Sequence, residues 1–181
     1  MAYGDRQDEM RKWLEEQGVV PCDAGADRPL ILSCIGEIAT VFPDLFDSLS
    51  DCYFYRQEKQ QYEGGTTDDA VFWYHTPSDS VTLYAIGLST VAAAEGENYL
   101  LLCILHELAH LKNLIENGES SHRTSFHGVL NELIRKFNES TGRNIENDFN
   151  GLQMRHDSKA WVLPNNIPTQ TRKQGQEFRH G

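Results

Sequence analysis

Two histidines and a glutamate form the stretch whose residue types and spacing could do chemistry. His106, Glu107 and His110 stand in the order His-Glu-Leu-Ala-His. In a helix, His110 lies about 40° around the axis from His106, so both imidazoles leave one face and can share a metal ion. Glu107 flanks that face, which suits a general base that acts on a metal-activated water. The spacing therefore predicts a zinc site with hydrolytic chemistry.

The residues before this motif favour a bound metal over an ordinary pair of core histidines. Residues 100–105 are all apolar, so we expect the helix predicted over 97–117 to be the central buried helix. Burying two histidines and a glutamate in such a helix is costly unless a partner satisfies them. A bound metal ion satisfies all three side chains. The simpler alternative is that the two histidines are core residues with ordinary hydrogen bonds.

A zinc site of this kind needs a third protein ligand and an open position for water. Three candidates, His122, His127 and Glu132, follow in the next predicted helix, which Ser120 or Ser121 can cap. His122 lies on the apolar stripe of that helix, whereas His127 lies on its flank and Glu132 on its solvent side. We expect His122 to be the third ligand, with His127 or Glu132 as the alternatives.

The same stretch resembles a known enzyme family. His106-Glu-Leu-Ala-His-Leu, a short loop and His122-Arg-Thr-Ser-Phe126 look like the SprT-like zinc metallopeptidases over about residues 100–140. In that family the third histidine opens a helix with the pattern His-x-x-x-Phe/Trp. The resemblance implies a zincin-like fold and hydrolysis of a protein or peptide substrate. It also implies Zn²⁺ held by His106, His110 and His122, with Glu107 as the general base.

The remaining pattern indicates an α+β domain. Helices are predicted over 7–17, 30–41, 97–117 and about 121–139, and strands over 52–56, 70–75 and 81–86, with a further short strand at 160–163. Helices followed by a small sheet and two more helices are typical of the α+β class. We expect the three central strands to form an antiparallel meander whose 70–86 hairpin offers its edge to an extended substrate.

Length, net charge and cysteine spacing restrict the domain organisation, the partners and the cellular location. The 181 residues suffice for one domain, which we place at 1–163, with a polar, loosely ordered tail at 164–181. The formal net charge of −11 argues against a nucleic-acid partner, although some members of the resembled family act on proteins bound to DNA. The longest apolar run is six residues, far short of the ~20 of a membrane span. Four cysteines without a CxxC pair favour free thiols in the cytoplasm. Nothing in the sequence indicates an oligomeric state.

The alternative function is a non-catalytic protein-binding module in which the metal is only structural. Such a site has four protein ligands and no open position. The intact Glu107 favours the enzyme, because a purely structural site has no need of a base. Outside the motif, His75 and His156 could line a cleft, but we expect ordinary core or surface histidines at both positions.

Overall fold

The computed structural model describes residues 2–56 and 69–147, together with the backbone of residues 176–180. This part of the chain forms helices and strands in a mixture that confirms the predicted α+β class. In chain order they are α1 (Tyr3–Glu16), β1 (Pro21–Cys22), a 3₁₀ turn (Gly25–Asp27), α2 (Arg28–Val41), α3 (Pro43–Ser48), β2 (Asp51–Tyr55), β3 (Ala70–Ser78), β4 (Val81–Ser89), α4 (Thr90–Ala94), α5 (Glu97–Asn117), α6 (Thr124–Thr141) and β5 (Gln176–His180). None of these helices is long and apolar enough to cross a membrane.

The strands form one sheet in the order β1-β2-β4-β3-β5. The predicted hairpin of β3 and β4 is present, and it is antiparallel with Phe72 opposite Ile86. The expected three-strand meander is wrong, because β2 pairs with β4 instead of β3, and does so in parallel. Parallel neighbours need a connection of about a dozen residues or more, which β3 and the stretch before it supply. The alternation of side chains within a strand does not specify which strand lies beside it.

Helices cover both faces of the sheet, because successive side chains point to opposite faces. One face packs against α1, in a cluster of Met10, Trp13, Leu14, Tyr53, Val71, Trp73, Leu83 and Ala85. The other face packs against α5, which in turn contacts α2 and α6. The larger core lies on this side, and β3 and β4 contribute Phe72, Ile86 and Leu88 to it. The helix that carries the histidine motif therefore lies on the side of the larger core.

Helix α5 has the predicted bounds and is the central element. Its residues 100–111 are all buried, and it contacts β3, β4, α2 and α6. Just beyond α6, Arg143 donates hydrogen bonds to the carboxylate of Glu37 in α2 at 2.6 and 2.8 Å and to Glu97 in α5 at 2.9 Å. These contacts fix the motif helix between the sheet and its two neighbouring helices.

Five residues near the C-terminal end of the chain form a further strand. Residues 176–180, which fall in the tail expected to be loosely ordered, form β5 and pair antiparallel with β3. The composition of these residues does not predict a strand. Pairing with a sheet edge uses the backbone N–H and C=O groups, which every residue other than proline has, so it leaves little trace in the sequence. The strand expected at 160–163 lies outside the described residues.

Candidate metal centre

Helix α5 buries the motif inside the protein. His106, Glu107 and His110 are 2%, 1% and 0% exposed. The apolar residues that precede them are buried as well, so the helix cannot turn the motif towards solvent without exposing its own core. The polar side chains of the motif therefore need partners within the protein or in a bound ion.

The loop between α5 and α6 brings a third histidine to this helix. Gly118 ends α5 with a φ of 69°, a left-handed conformation that glycine adopts without strain. The chain then turns back, and α6 begins at Thr124, which leaves His122 in the loop just before the helix. His122 is half-buried and faces both motif histidines.

Two hydrogen bonds tie this loop to α5. Nδ1 of His110 lies 2.5 Å from the carbonyl oxygen of Ser120. One residue earlier, the carbonyl of Glu119 accepts a hydrogen bond from Nδ2 of Asn113 at 2.6 Å, and Asn113 is fully buried. The helix that carries the motif thus also holds the loop, and this fixes the position from which His122 reaches the motif.

The Nε2 atoms of the three histidines converge on one point. They lie 3.0 Å apart between His106 and His122, 3.0 Å apart between His110 and His122, and 3.3 Å apart between His106 and His110. Nitrogen ligands bound tetrahedrally to zinc at about 2.0–2.1 Å are about 3.3 Å from one another. The donor set and its spacing therefore fit a metal ion at the centre of the three nitrogens.

The protonation state of His110 also suits a ligand. A carbonyl oxygen only accepts, so the contact with Ser120 places the proton of a neutral His110 on Nδ1 and leaves the lone pair of Nε2 facing the other histidines. Burial lowers the pKa of His110 well below its usual value, and the neighbouring His106 and His122 lower it further. The ring is therefore neutral at physiological pH, as metal ligation requires.

Two phenylalanine rings pack against the imidazoles of the candidate centre. The ring of Phe126, at the start of α6, lies 4.3 Å from that of His110, 4.8 Å from that of His122 and 5.0 Å from that of His106. From β3, the ring of Phe72 stacks on His110 at 6.1 Å with the planes 10° apart. Both phenylalanines are fully buried, so an ion held here would lie against an apolar wall where electrostatic interactions are strong.

Of the three candidates for the third ligand, the structure brings only His122 to the motif histidines. His106, His110 and His122 form a group of metal-ligating side chains in which no fourth His, Cys, Asp or Glu from residues 2–56 and 69–147 takes part. His127 is half-buried in the first turn of α6, with its ring 6.0 Å from that of Phe126, outside this group. Glu132 is solvent-exposed and forms an ion pair with Lys136 at 3.0 Å.

The local structure around His122 differs from the expectation. The sequence predicted a helix start near Ser120 or Ser121, but α6 begins at Thr124, after an extended Arg123. The reason lies in the loop, where the hydrogen bonds to α5 take up the backbone of Glu119 and Ser120. The angular argument for His122 therefore does not apply, although the residue it selected is the one that joins the motif.

Two contributions to this centre carry no signal in the sequence. The carbonyl of Ser120 is a backbone group, which any residue at that position would supply. Phe72 reaches the centre from β3, and its contact with His110 depends on how the sheet packs on α5. The contribution of Asn113, by contrast, could be inferred from the sequence, because helical spacing places this residue on the face of His106 and His110.

Comparisons of the chain with models of protein families, with curated proteins and with solved structures find no match.

Proposed function

We propose that this protein is a zinc-dependent peptidase with a zincin-like fold, similar to the SprT-like metallopeptidases. The observation that carries the proposal is the convergence of three histidine Nε2 atoms within 3.3 Å of one another, beside a buried glutamate on the same helix. In this proposal His106, His110 and His122 hold the ion, and Glu107 is the general base.

The number of ligands favours a catalytic site over a structural one. Structural zinc sites are closed by four protein ligands, whereas catalytic sites use three and leave one position open. Within residues 2–56 and 69–147, the group contains three histidines and no further ligand. Three imidazoles, one of them with its tautomer fixed by a backbone carbonyl, are a known catalytic donor set for zinc.

The residues of this chain would divide the reaction between them. A bound zinc ion supplies a Lewis acid that polarises a carbonyl group and lowers the pKa of a water molecule. Glu107 takes the proton of the attacking water and passes a proton to the leaving amine. Phe72 and Phe126 keep the surroundings of the histidines apolar, which strengthens the interaction of every charge in the site.

The alternative is a protein-binding module with a structural metal. It is supported by β5, since pairing with β3 indicates that this sheet edge accepts an extended segment. In that case the ion would only join the α5–α6 loop to α5. The two functions differ in their need for Glu107, because only the enzyme uses this carboxylate.

The test compares two glutamate-to-glutamine variants on the same helix. Glu107→Gln is expected to keep about one zinc ion per chain and to lose hydrolysis of a fluorescently labelled unfolded protein by about 10²–10⁴-fold, the usual contribution of a general base. Glu116→Gln is the matched control, because Glu116 is exposed and pairs only with Lys112 among the ion pairs of the described residues. Unchanged hydrolysis by Glu107→Gln, or a zinc-loaded wild type that hydrolyses nothing, would reject the peptidase.

A further inference from the structure

Strand β5 covers the outer edge of β3. It pairs antiparallel with His180 opposite Ala70, Arg179 opposite Val71 and Gln176 opposite Trp73. The other edge of β3 is taken by β4, so β5 occupies the position where an added strand would extend the sheet beside β3. The occupant of this edge is therefore a segment of the chain itself.

This edge runs past the candidate metal centre. Phe72 lies between the register positions of Val71 and Trp73, and its ring stacks on that of His110. Neighbouring strands are about 4.8 Å apart, so the backbone of β5 runs within one strand spacing of the β3 residue that contacts the centre. An extended peptide bound at this edge would follow the same path.

The pairing is irregular at the position nearest the centre. Between the pairs Val71–Arg179 and Trp73–Gln176, the single residue Phe72 lies opposite both Glu177 and Phe178. Two residues opposite one form a β-bulge, which interrupts the hydrogen-bond ladder. A peptide that pairs without a bulge could form a more continuous ladder with β3, so β5 is a segment that another strand can displace.

We propose that residues 176–180 act as an intramolecular competitor of an extended peptide, because they occupy the outer edge of β3, which belongs to the hairpin expected to bind such a peptide. The inference rests on the proposed peptidase function for its kinetic consequence, whereas competition for the edge can be measured by binding alone. Because β5 belongs to the same chain, its pairing with β3 is intramolecular, and a free peptide must compete with it at its effective concentration. Release of β5 therefore increases the affinity for peptides.

Charge indicates which peptides bind this edge. Residues 164–181 contain three Arg or Lys residues and one Glu, whereas the whole chain has a formal net charge of −11. A basic segment is attracted to an acidic protein, and a competing peptide gains the same attraction if it is basic. The substrate class is therefore an extended, neutral to basic peptide segment.

The binding test disrupts β5 in the full-length protein. The double variant Arg179→Pro/His180→Pro removes the backbone N–H groups of two adjacent residues, one of which faces β3 because these groups alternate along a strand. Thr171→Pro/Arg172→Pro is the matched control, with two prolines and one lost arginine upstream of the strand. The probe is a fluorescent peptide with the sequence of residues 174–181, and the readout is its Kd by anisotropy.

We expect the β5 variant to bind this peptide with a Kd at least about tenfold lower than the wild type and the control. Equal Kd values for all three proteins, or an equal decrease in the control, would overturn the competition. A second measurement uses the wild type alone: excess peptide should increase amide hydrogen exchange at residues 176–180, and unchanged exchange at saturation would reject displacement even if the variant does not fold.

Hydrolysis separates this inference from the proposed function. The β5 variant should cleave a basic reporter peptide with a lower KM and an unchanged kcat, because only access to the edge has changed. If every zinc-loaded protein cleaves nothing while the Kd values differ as expected, the peptidase is rejected and the edge competition stands. If cleavage occurs but Kd and KM are the same in the β5 variant and the wild type, the competition is rejected and the peptidase stands.

Discussion

At each face of the sheet a histidine stacks on an aromatic ring, but only one of these two histidines, His110 of α5, belongs to a metal-ligating group. On the α5 side, the rings of His110 and Phe72 lie 6.1 Å apart with their planes at 10°. On the α1 side, the rings of His75 and Trp13 lie 4.8 Å apart, also at 10°. Ring stacking is thus common to a candidate ligand and to a histidine that only packs, and it does not identify a site.

The two histidines differ in what their nitrogen atoms meet. Nδ1 of His110 contacts a carbonyl oxygen, and its Nε2 faces two further imidazoles at 3.0 and 3.3 Å. Nδ1 of His75 is buried without a hydrogen-bond partner, and burial lowers the pKa of this ring although Glu9 and Glu16 act in the opposite direction. The fixed tautomer of His110 and the convergence of three ring nitrogens distinguish the candidate metal centre from the packed His75.

The largest expected effect is on zinc affinity when the third histidine is removed. His122→Ala leaves two imidazoles, so we expect zinc affinity to fall by several orders of magnitude. His127→Ala and His75→Phe are the controls, since neither residue belongs to the group, and both should bind zinc like the wild type. Competition with a chelator of known affinity measures all four proteins. Loss of zinc in His127→Ala but not in His122→Ala would show that the loop adopts another conformation.

A smaller effect is expected from the loop contact beneath the centre. Asn113→Ala removes the hydrogen bond to the carbonyl of Glu119 and loosens the loop that carries His122. A buried group left without its partner costs about 1–3 kcal/mol, part of which should appear as roughly tenfold weaker zinc binding. The same chelator competition measures it.

Asn117→Ala is the control for this variant. It removes only the bond that Nδ2 of Asn117 donates to Oδ1 of Asn113 at 2.8 Å, and it leaves the bond to the loop in place. Zinc affinity should change less than about twofold, the size of a typical surface substitution. Equal weakening by both variants would mean that Asn113 acts through the helix end and not through the loop.

The sequence predicts the local features of this fold but not the contacts between its elements. The bounds of α5 and the shared face of His106 and His110 follow from helix geometry, which is local, and the structure agrees with both. The start of α6 was wrong by about three residues because loop contacts with α5 compete with a helix start at Ser120 or Ser121. Sequence spacing gives no account of such contacts between elements.

Pairing between distant strands was the least predictable feature. The parallel pairing of β2 with β4 and the addition of β5 to β3 both join residues far apart in the chain. Alternating side chains determine which face of a strand is buried, but they leave its neighbour open. The stack of Phe72 on His110 depends on this packing, so the wall of the candidate centre could not be predicted from the motif.

The smallest expected effect concerns the pH dependence contributed by His75. Burial holds its pKa in the folded protein below the ordinary value of 6.5, so the unfolded chain binds more protons as the pH falls through 6.5. The contribution of His75 to the free energy of unfolding is therefore complete above about pH 6.5, and it is lost as the pH falls towards the lower pKa of the folded state. His75→Phe keeps an aromatic ring beside Trp13 and removes the titrating group. Urea unfolding of the zinc-loaded proteins between pH 7 and 5 should show the wild type losing more unfolding free energy than the variant, by less than about 1 kcal/mol because solvent screens a half-exposed ring. Parallel curves would mean that His75 titrates alike in the folded and unfolded chain, and that its stacking on Trp13 has no electrostatic consequence.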